Sequence, residues 1–506
     1  MEDFKVIVRA TSIKITPGKE AFGRLTQIIK LHTYVDDITG DERALGFIYD
    51  EPHDSLYFHK GVNIDHLTRL LGSCKVINKL FDDYEEMKYE FEEITAPRDD
   101  DQRDVINFIS GRPPYAAAMK QTQIFLVKKP GFGKSYCTGY GVGVLGMKTL
   151  IIIHRDNLRT QWYGSLINMN GYPEKRVHII DKVDEAVAIA NGDYKPDADI
   201  YLITHMTIHA ALQRFGDMEA MGGLTKNLGI GIKVIDEAHL YFRSTLAIDF
   251  MFNVRHNLYL TATDGRSNRD EDAIFRLVFS KTLFYKRAME MDEKHPSKWV
   301  DYTAVFVDSQ VKKAVYHYRI APGGRMSPVA YGKFVIKNDK KQTHFKACTE
   351  ILRTIFEEDK DAKVLVFLPL IDLCIEGAYY FGLHLNYDDT FPMDLNIKTV
   401  HSRNSVEENE LNKRADVIVT TVQSLGTGSD IKGVTSIINC TPLVSKINCE
   451  QILGRIRYIN KPCHYYDIVD KSVQMDVFWW RSRYRTFQRL CTRTSQLTWT
   501  EDEEEK

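Results

Sequence analysis

The sequence predicts an α/β fold with two tandem parallel-sheet domains behind a small α+β N-terminal domain. Continuous apolar runs alternate with helical patterns in two separate blocks, over 94–285 and 335–470. Such runs are typical of parallel strands that helices cover on both faces. A glycine-rich loop follows one of these runs and an acidic pair follows another, as expected where strand ends bind a ligand. A chain of 506 residues is also too long for one ordinary domain.

The first element is an N-terminal domain over 1–93, which we expect to recognise the substrate. Its strand-rich surface carries Lys5, Arg9, Lys14 and Lys19, whereas the acidic run over 82–93 reads as a solvated helix or linker. Alternating and aromatic patterns predict strands over 4–10, 44–49 and 56–58 and a helix over 64–71 that ends at Gly72.

The two βα blocks follow, separated by a charged, proline-containing segment over 286–334 that reads as a linker and ordered loop. Residues 471–506 read as a basic-aromatic helix and an acidic tail. The predicted strands of the first block are 124–127, 149–153, 200–204, 233–235 and 258–263, and those of the second are 364–368, 417–420, 436–439 and 465–469.

A phosphate-binding loop is predicted after the strand at 124–127. Gly131 and Gly133 allow a tight turn whose N–H groups point at phosphate oxygens, and the helix that begins near Lys134 adds its positive end. Lys134 is expected to reach the β- and γ-phosphates of ATP, and the Ser135 hydroxyl to ligate Mg²⁺. The full phosphate-loop pattern has a further glycine where this chain has Lys128.

An acidic pair ends the strand that begins at Lys233. We expect Asp236 to hold the same Mg²⁺ and Glu237 to orient or deprotonate the attacking water. The loop and the acidic pair together predict a site for a nucleoside triphosphate.

Read in order, the short motifs across about 95–470 resemble those of superfamily 2 helicases. This resemblance implies two RecA-like motor domains. Gln102 is similar to the glutamine that reads adenine, and Asp236-Glu237-Ala238-His239 to the DEAH form of motif II. The resemblance implies coupling roles for His239, Thr261 and Thr263, nucleic-acid contacts for Gln161, Thr204 and Thr421, and nucleotide contacts for Gly428 and Asp430.

The last motif departs from the family pattern. Gln451-Ile452-Leu453-Gly454-Arg455 resembles motif VI, but many members carry a second arginine where this chain has Tyr458. The arginine that stabilises charge on the transferred phosphoryl group is therefore either Arg455 or Arg457.

Three segments narrow the resemblance: Gly131–Ser135, Thr261–Thr263 followed by Arg266–Arg269, and Gly426–Gly428. They are similar to those of phage UvsW-type recombination helicases and poxvirus transcript-release helicases. The first resemblance implies a DNA helicase or translocase that acts on branched DNA, on forks, four-way junctions and single strands, in recombination, repair or replication. Two alternatives stay open: an RNA or transcription-complex motor that releases transcripts, and an ATP-gated DNA-binding and annealing module with little unwinding.

Net charge, cysteine spacing and the length of apolar runs restrict where nucleic acid can bind and where the protein can be located. The formal net charge of −2 means that nucleic-acid contacts must come from local patches, and Arg481 and Arg485 among the aromatic residues near the C-terminus are one such patch. The alternative for this segment is an amphipathic helix docked on the second block. Long apolar runs, a signal peptide and C-x-x-C pairs are lacking, so we expect a reduced, cytoplasmic location without a membrane anchor.

Overall fold

A computed structural model describes most of the chain and divides it into two compact units, 1–289 and 290–506. No helix within the described ranges is long and apolar enough to cross a membrane. The described residues are 4–35, 42–128, 131–154, 157–239, 242–262, 269–285, 300–311, 327–391, 393–425, 431–443, 446–456 and 463–500.

The first unit opens with a five-stranded sheet in the order β5-β6-β2-β1-β7, which is antiparallel except for the β1–β7 pair. The predicted helix over 64–71 is confirmed: Asn63 caps it, and Gly72 ends it with a φ of 84°. The elements are β1 Phe4–Val8, β2 Ser12–Thr16, α1 Gly18–Arg24, α2 Thr26–Leu31, β3 Thr33–Val35, β4 Glu42–Ala44, β5 Phe47–Asp50, β6 Ser55–His59, α3 Ile64–Leu71 and β7 Cys74–Asn78.

The same unit contains a seven-stranded sheet in the order β10-β11-β9-β12-β13-β8-β14, and every pair in it is parallel. Its central strands are fully buried, as their continuous apolar runs predict. The elements are α4 Asp100–Ser110, β8 Gln123–Val127, α5 Lys134–Leu145, β9 Thr149–Ile153, α6 Asn157–Gly164, β10 Val177–Ile180, α7 Val183–Asn191, β11 Ile200–Thr204, α8 His205–Phe215, α9 Met218–Leu228, β12 Ile232–Ile235, α10 Phe242–Met251, β13 His256–Thr261, α11 Arg269–Val278 and β14 Leu283–Phe284.

A buried polar cluster joins the N-terminal sheet to the parallel sheet. Asp249 is fully buried and accepts hydrogen bonds from Lys233 Nζ at 2.6 Å and from the Tyr259 hydroxyl at 2.8 Å. His59 Nε2, at the end of β6, lies 3.5 Å from the same carboxylate. Thr11 adds a hydrogen bond to the Asp249 carbonyl at 2.7 Å. The N-terminal sheet is therefore part of the packed core of this unit.

Two basic residues predicted to contact substrate point into this unit instead. Arg9 donates to the Phe250 carbonyl at 3.2 Å, and Lys14 pairs with Glu219. Lys5 and Lys19 are exposed, as expected from the sequence. The burial of Arg9 and Lys14 follows from the helices α9 and α10, which cover this face of the sheet and which the sequence pattern of 1–93 does not reveal.

The acidic run over 82–93 is neither helical nor detached. Its backbone is extended: Glu85 N–H donates to the Gly229 carbonyl at 2.8 Å, and Met87 N–H to the Gly146 carbonyl at 2.7 Å. Tyr89 and Phe91 pack against the core of the parallel sheet. The run alternates charged and aromatic side chains, and it is the aromatic ones that fix it to the surface.

The second unit has its own seven-stranded, wholly parallel sheet in the order β17-β18-β16-β19-β20-β15-β21. The two parallel sheets confirm the predicted α/β class with tandem RecA-like domains. The elements are β15 Val300–Val307, α12 Pro328–Phe334, α13 Thr343–Glu358, β16 Val364–Phe367, α14 Ile371–Asn386, β17 Ile397–Val400, α15 Val406–Asn412, β18 Val417–Thr420, α16 Val422–Leu425, β19 Ser436–Asn439, α17 Lys446–Leu453, β20 Cys463–Asp470, α18 Gln474–Leu490 and β21 Arg493–Thr498.

Two strands of this sheet come from segments with other predicted roles. β15 lies within 286–334, the predicted linker and loop, and pairs with β20 and β21. β21 follows the C-terminal helix, where no strand is predicted, and forms a sheet edge. β15 alternates polar and apolar residues over its first half and ends in the apolar run 304–307, but it lies in a charged, proline-containing segment. β21 is largely exposed and has no such run.

Candidate functional site

The glycine-rich loop has the backbone geometry of an anion cradle. Gly131 and Gly133 have φ angles of 79° and 96°, in the left-handed region that favours glycine. Gly133 is also the N-cap of α5, so the free N–H groups of that helix open directly onto the loop. A Cβ atom on Gly133 would lie 2.6 Å from Gln102 Nε2, so a side chain is excluded there.

The loop lysine is held by its own loop. Lys134 Nζ donates to the carbonyl of Lys128 at 3.0 Å, which keeps the ammonium group over the glycines. The Lys128 side chain, at the position where the full pattern has glycine, is buried with its Nζ 4.3 Å from the centre of the Phe132 ring. This cation–π contact turns Lys128 away from solvent. Ser135 follows in the first turn of α5, half-buried, beside Lys134.

Gln102 braces the loop. Its Nε2 donates to the Phe132 carbonyl at 2.8 Å, and its Oε1 accepts from the Arg98 N–H at 2.9 Å. The side chain is buried, and Asp99 caps its helix by accepting from the Gln102 N–H. Both ends of the amide therefore have a partner within the protein. The adenine-reading role that the resemblance implies stays a prediction.

Asp236 lies immediately after β12, and its carboxylate is buried. The indole N–H of Trp162 donates to Asp236 Oδ2 at 2.8 Å. Burial and the neighbouring charge of Glu237 raise the pKa of Asp236 to about 6, while the Trp162 hydrogen bond and Lys134 act in the opposite direction. The sequence did not reveal the contact between Trp162 and Asp236, because 74 positions separate the two residues.

Three motif residues form one connected chain. Glu237 has a φ of 49°, which is unusual for a residue with a side chain, and its Oε2 lies 3.3 Å from His239 Nδ1. That same nitrogen is 2.6 Å from the hydroxyl of Thr261, at the end of β13. His239 is fully enclosed. Glu237 and the predicted coupling residue Thr261 are therefore connected through His239, whereas Thr263 lies outside the described residues.

The acidic strand end has the chemistry of a magnesium site. Mg²⁺ is usually bound by one or two carboxylates together with substrate phosphates and water. Asp236 has a raised pKa because two carboxylates meet in a buried place, and Glu237 Oε2 is buried without a hydrogen bond. A divalent cation relieves both conditions, so the donor set fits Mg²⁺.

The predicted nucleic-acid contacts separate into two kinds. The Thr204 hydroxyl caps α8 by accepting from the Thr207 N–H at 3.0 Å, and the Thr421 hydroxyl caps α16 by accepting from the Ser424 N–H at 3.1 Å. Both threonines are buried; Thr204 is the last residue of β11, and Thr421 directly follows β18. Their hydroxyls take part in these helix caps, and the nucleic-acid contacts that the resemblance implies for them stay predictions. Gln161, by contrast, is exposed on α6.

The motif V and VI residues are described only in part. Gln451 is buried on α17, and Arg455 lies half-buried just after that helix, with its N–H donating to the Ile452 carbonyl at 3.0 Å. Gly428, Asp430 and Arg457 lie outside the described residues.

The C-terminal helix α18 is docked on the second sheet by a buried arginine. Arg483 bonds Asp467 and Asp476 at 3.1 Å each, and all three side chains are buried. Phe487 is buried with it, whereas Phe478 is exposed. Arg481 and Arg485 lie on the exposed side.

Comparison with known protein families finds one model that matches residues 75–266, described as "Type III restriction enzyme, res subunit". A Haloarcula marismortui protein named as a DNA 3′-5′ helicase, Rad25, is 23% identical over 248 residues, which is 49% of this chain. The chain spans about a third of that relative, 34% of its length. Both matches cover less than half of this chain, and they are likenesses to a restriction-enzyme subunit and to a helicase.

Solved structures confirm the fold. Dbp5 of S. cerevisiae, in a structure with RNA and ADP BeF3, has a TM-score of 0.50 and 12% identity, covering 78% of this chain and 89% of that one. Mss116p, in a structure with ssRNA and AMP-PNP, also has a TM-score of 0.50, with 14% identity and coverage of 83% and 82%.

Proposed function

We propose that this protein is an ATP-dependent DNA helicase or translocase that acts on branched DNA, in recombination, repair or replication. One observation carries the ATPase part of the proposal: the contact chain from Glu237 through His239 to Thr261. This chain connects Glu237, the neighbour of the proposed magnesium ligand Asp236, with Thr261 at the end of β13. A change at the nucleotide can thereby move a second loop, which a motor requires and a static ATP-binding protein does not.

The geometry supports the following proposed role for each motif residue. Gly131, Gly133 and the start of α5 hold the phosphates, and Lys134 exchanges its bond to the Lys128 carbonyl for the β- and γ-phosphates. Asp236 and Ser135 hold Mg²⁺, which neutralises charge on the phosphates. Glu237 orients and deprotonates the attacking water.

A second-unit arginine is proposed to stabilise the charge that develops on the transferred phosphoryl group. Arg455 is our candidate, with Gln451 nearby on α17, and Arg457, Gly428 and Asp430 are further candidates from the same sequence motifs. The Arg455→Ala variant should lose kcat with little change in nucleotide affinity, while Arg457→Ala should be milder. A larger loss at Arg457 would reverse the assignment.

DNA contact is proposed for the exposed face of α18. Arg481, Arg485 and Arg489 recur every four residues and are all exposed, so they form one stripe, with Phe478 exposed at its start. A row of guanidinium groups beside an aromatic ring suits a phosphate backbone and its bases. Gln161, also exposed, is a further candidate contact in the first unit.

Substrate recognition is proposed for the N-terminal domain, through the exposed Lys5 and Lys19. The net charge near zero argues against selection of junctions by bulk electrostatics. A shape-specific surface outside the motor sheets is then needed, and the N-terminal sheet is the largest region that carries no motor motif.

Parallel ATPase assays with forked DNA, four-way junctions, single strands and RNA test the proposal, with Lys134→Ala as the inactive reference. We expect the greatest stimulation by forks and junctions, and in Lys134→Ala a loss of roughly two decades in rate, from about 3 kcal/mol of lost phosphate contact. Stimulation by RNA alone would indicate a transcript-releasing motor. Strand annealing without unwinding would indicate an ATP-gated binding module.

The stripe on α18 has its own test. The triple change of Arg481, Arg485 and Arg489 to alanine should weaken DNA binding and reduce the slope of log affinity against log salt by about one per lost phosphate contact. The control is Lys340→Ala with Lys341→Ala, two exposed lysines outside the stripe. An equal loss in the control would show that only general charge matters.

A further inference from the structure

Lys128 stands where the full phosphate-loop pattern has its first glycine, but its backbone does not need a glycine. The Lys128 N–H donates to the Thr261 carbonyl at 3.0 Å, so the pairing of β8 with β13 continues for one more residue. Its φ angle lies outside the left-handed region in which Gly131 and Gly133 are found. A side chain at position 128 is therefore free to serve the loop.

The side chain of Lys128 is buried, with 4% of the residue exposed. Its Nζ lies 4.3 Å from the centre of the Phe132 ring and 5.4 Å from the centre of the Tyr285 ring. No carboxylate among the described residues lies within ion-pair distance of this ammonium group. Lysine is almost never fully buried without a partner, and here the negative faces of two aromatic rings take the place of an acid.

One of the two rings belongs to the packed core of the unit and the other to the loop. Tyr285 follows β14, is buried, and donates a hydrogen bond from its hydroxyl to Asp104 on α4. Phe132 lies between the two loop glycines, and its carbonyl accepts from Gln102 Nε2 at 2.8 Å. The ammonium group of Lys128 therefore connects a ring of the loop with a ring of the core.

We infer that Lys128 is a positioning residue for the nucleotide, which acts through Phe132 and keeps the loop in the shape that receives the β- and γ-phosphates. The inference rests on the proposed ATPase function. Phe132 lies between Gly131 and Gly133, so the place of its ring sets the direction of the neighbouring N–H groups. A loop already held in its binding shape loses less freedom when the triphosphate binds.

The expected consequence is a change in nucleotide affinity and not in the chemical step. The loop holds the phosphates equally before and during the reaction, whereas Asp236 and Glu237, which are proposed to bind metal and activate water, follow another strand. Loss of the Lys128 charge should therefore raise the KM of ATP and the Kd of both ATP and ADP, with kcat unchanged.

Calorimetric titration of ATP and ADP, together with ATPase kinetics on forked DNA, tests the inference in the full chain. Lys128→Met keeps the length of the stem and removes the charge. It should raise the Kd of each nucleotide and the KM of ATP by about tenfold, from the loss of a buried cation–π contact, with kcat within about twofold. Lys128→Arg keeps a cation over the rings and should restore the affinity. If only the packing of the stem mattered, Lys128→Met would bind ATP normally.

Phe132→Leu removes the loop ring from the same contact and should raise the Kd and the KM by a similar factor. It carries the test if Lys128→Met does not fold, because Phe132 is only half-buried. The double variant should bind ATP no more weakly than either single variant, since both changes break one contact. Phe81→Leu is the matched control: its ring lies 5.4 Å from the Arg255 guanidinium, which precedes β13 at the end remote from the loop. This control should leave nucleotide affinity unchanged.

Three results would overturn the inference: unchanged ATP affinity in Lys128→Met, losses that multiply in the double variant, or a lower kcat at unchanged KM. An unchanged protein that binds no nucleotide is a different result, because it contradicts the proposed function. Hydrogen exchange of the amides at 131–134 without nucleotide then decides the inference by itself. Exchange should be about tenfold faster in Lys128→Met and in Phe132→Leu than in the unchanged protein, and equal exchange would overturn the inference.

Discussion

The indole N–H of Trp162 donates a hydrogen bond to Asp236 Oδ2 at 2.8 Å, and both side chains are buried. This bond stabilises the ionised form of a carboxylate whose pKa burial and Glu237 have raised to about 6. A magnesium ligand must be ionised to bind its metal, so Trp162 keeps Asp236 available near neutral pH.

Trp162→Phe should therefore raise the pKa of Asp236 further, because the aromatic ring is kept and only the donor is lost. We expect a higher Mg²⁺ requirement, and an acidic limb of the ATPase pH profile that moves to higher pH. Activity well above pH 7 should recover towards that of the unchanged protein. Measurement of the ATPase rate against Mg²⁺ concentration at several pH values checks this.

Trp479→Phe provides the control, since within the described residues the Trp479 indole N–H has no hydrogen-bond partner. It should leave the Mg²⁺ requirement unchanged. If Trp162→Phe lowers activity equally at every pH, the tryptophan acts by packing and not through the Asp236 carboxylate.

The His239–Thr261 contact should couple hydrolysis to movement. Thr261→Val keeps the size and branching of the side chain but removes the hydroxyl that lies 2.6 Å from His239 Nδ1. We expect ATP hydrolysis to continue and strand displacement to fall by about tenfold or more, from the loss of a buried hydrogen bond of about 1–3 kcal/mol. Hydrolysis and unwinding are measured on the same forked DNA.

Thr263→Val would serve as the comparison from the same motif. A parallel loss of hydrolysis and unwinding in Thr261→Val would show that the contact supports the active site itself. In that case the proposed coupling role of His239 and Thr261 would be wrong.

The N-terminal sheet should be needed for the stability of the first motor sheet. Deletion of residues 1–94 removes the contact between His59 and Asp249. It also removes the buried side chain of Tyr57, which packs against Phe250 on α10. We expect this deletion to yield aggregated protein. His59→Leu, a milder change, should lower the free energy of unfolding by about 1–3 kcal/mol, because Gln123 and Asp249 each lose a buried polar neighbour.

Lys5→Ala is the control, because Lys5 is exposed on the same sheet. It should not change the urea midpoint, although it should reduce preference for junctions if that surface recognises them. A soluble, cooperatively folding fragment that begins near Thr95 would contradict the structural role and would favour an independent N-terminal domain.

The sequence could predict the parallel sheets and the phosphate loop because each depends on neighbouring residues. A run such as 149–153 is apolar throughout, and Gly131, Gly133 and Lys134 lie within one short loop. Long-range contacts left no such local signal. Trp162 meets Asp236, and His59 meets Asp249, across separations that only the folded chain closes.

The roles of polar residues were the hardest to predict, because they too depend on contacts between distant parts of the sequence. The sequence identified Gln102, Thr204 and Thr421 as site residues. It did not reveal that Gln102 also bonds the phosphate loop, or that the two threonines also cap helices. A glutamine or threonine can serve a ligand or the backbone equally well, and the choice depends on which groups the fold brings near. The edge strand β21 likewise depends on pairing with β15 and not on its own composition.

Two neighbouring arginines of α18 should respond in opposite ways to substitution. Arg483 is buried between Asp467 and Asp476, so Arg483→Met leaves two buried carboxylates without their cation. Breaking such a pair costs about 3–5 kcal/mol, and we expect a lower midpoint of thermal unfolding for the second unit. Arg481 is exposed, and Arg481→Ala should change stability by less than about 0.5 kcal/mol.

DNA binding should respond in the opposite way: it should be weaker in Arg481→Ala than in Arg483→Met. Arg481→Ala should weaken binding, because Arg481 belongs to the exposed stripe, and folded Arg483→Met protein should bind normally at low temperature, since Arg483 is buried beneath that stripe. Thermal unfolding and fluorescence anisotropy on the same preparations separate the two effects. Weak DNA binding by Arg483→Met while it is still folded would show that the stripe depends on how Arg483 seats the helix. Normal binding by Arg481→Ala would remove α18 from the DNA-binding surface and leave its function to the docking that Arg483 provides.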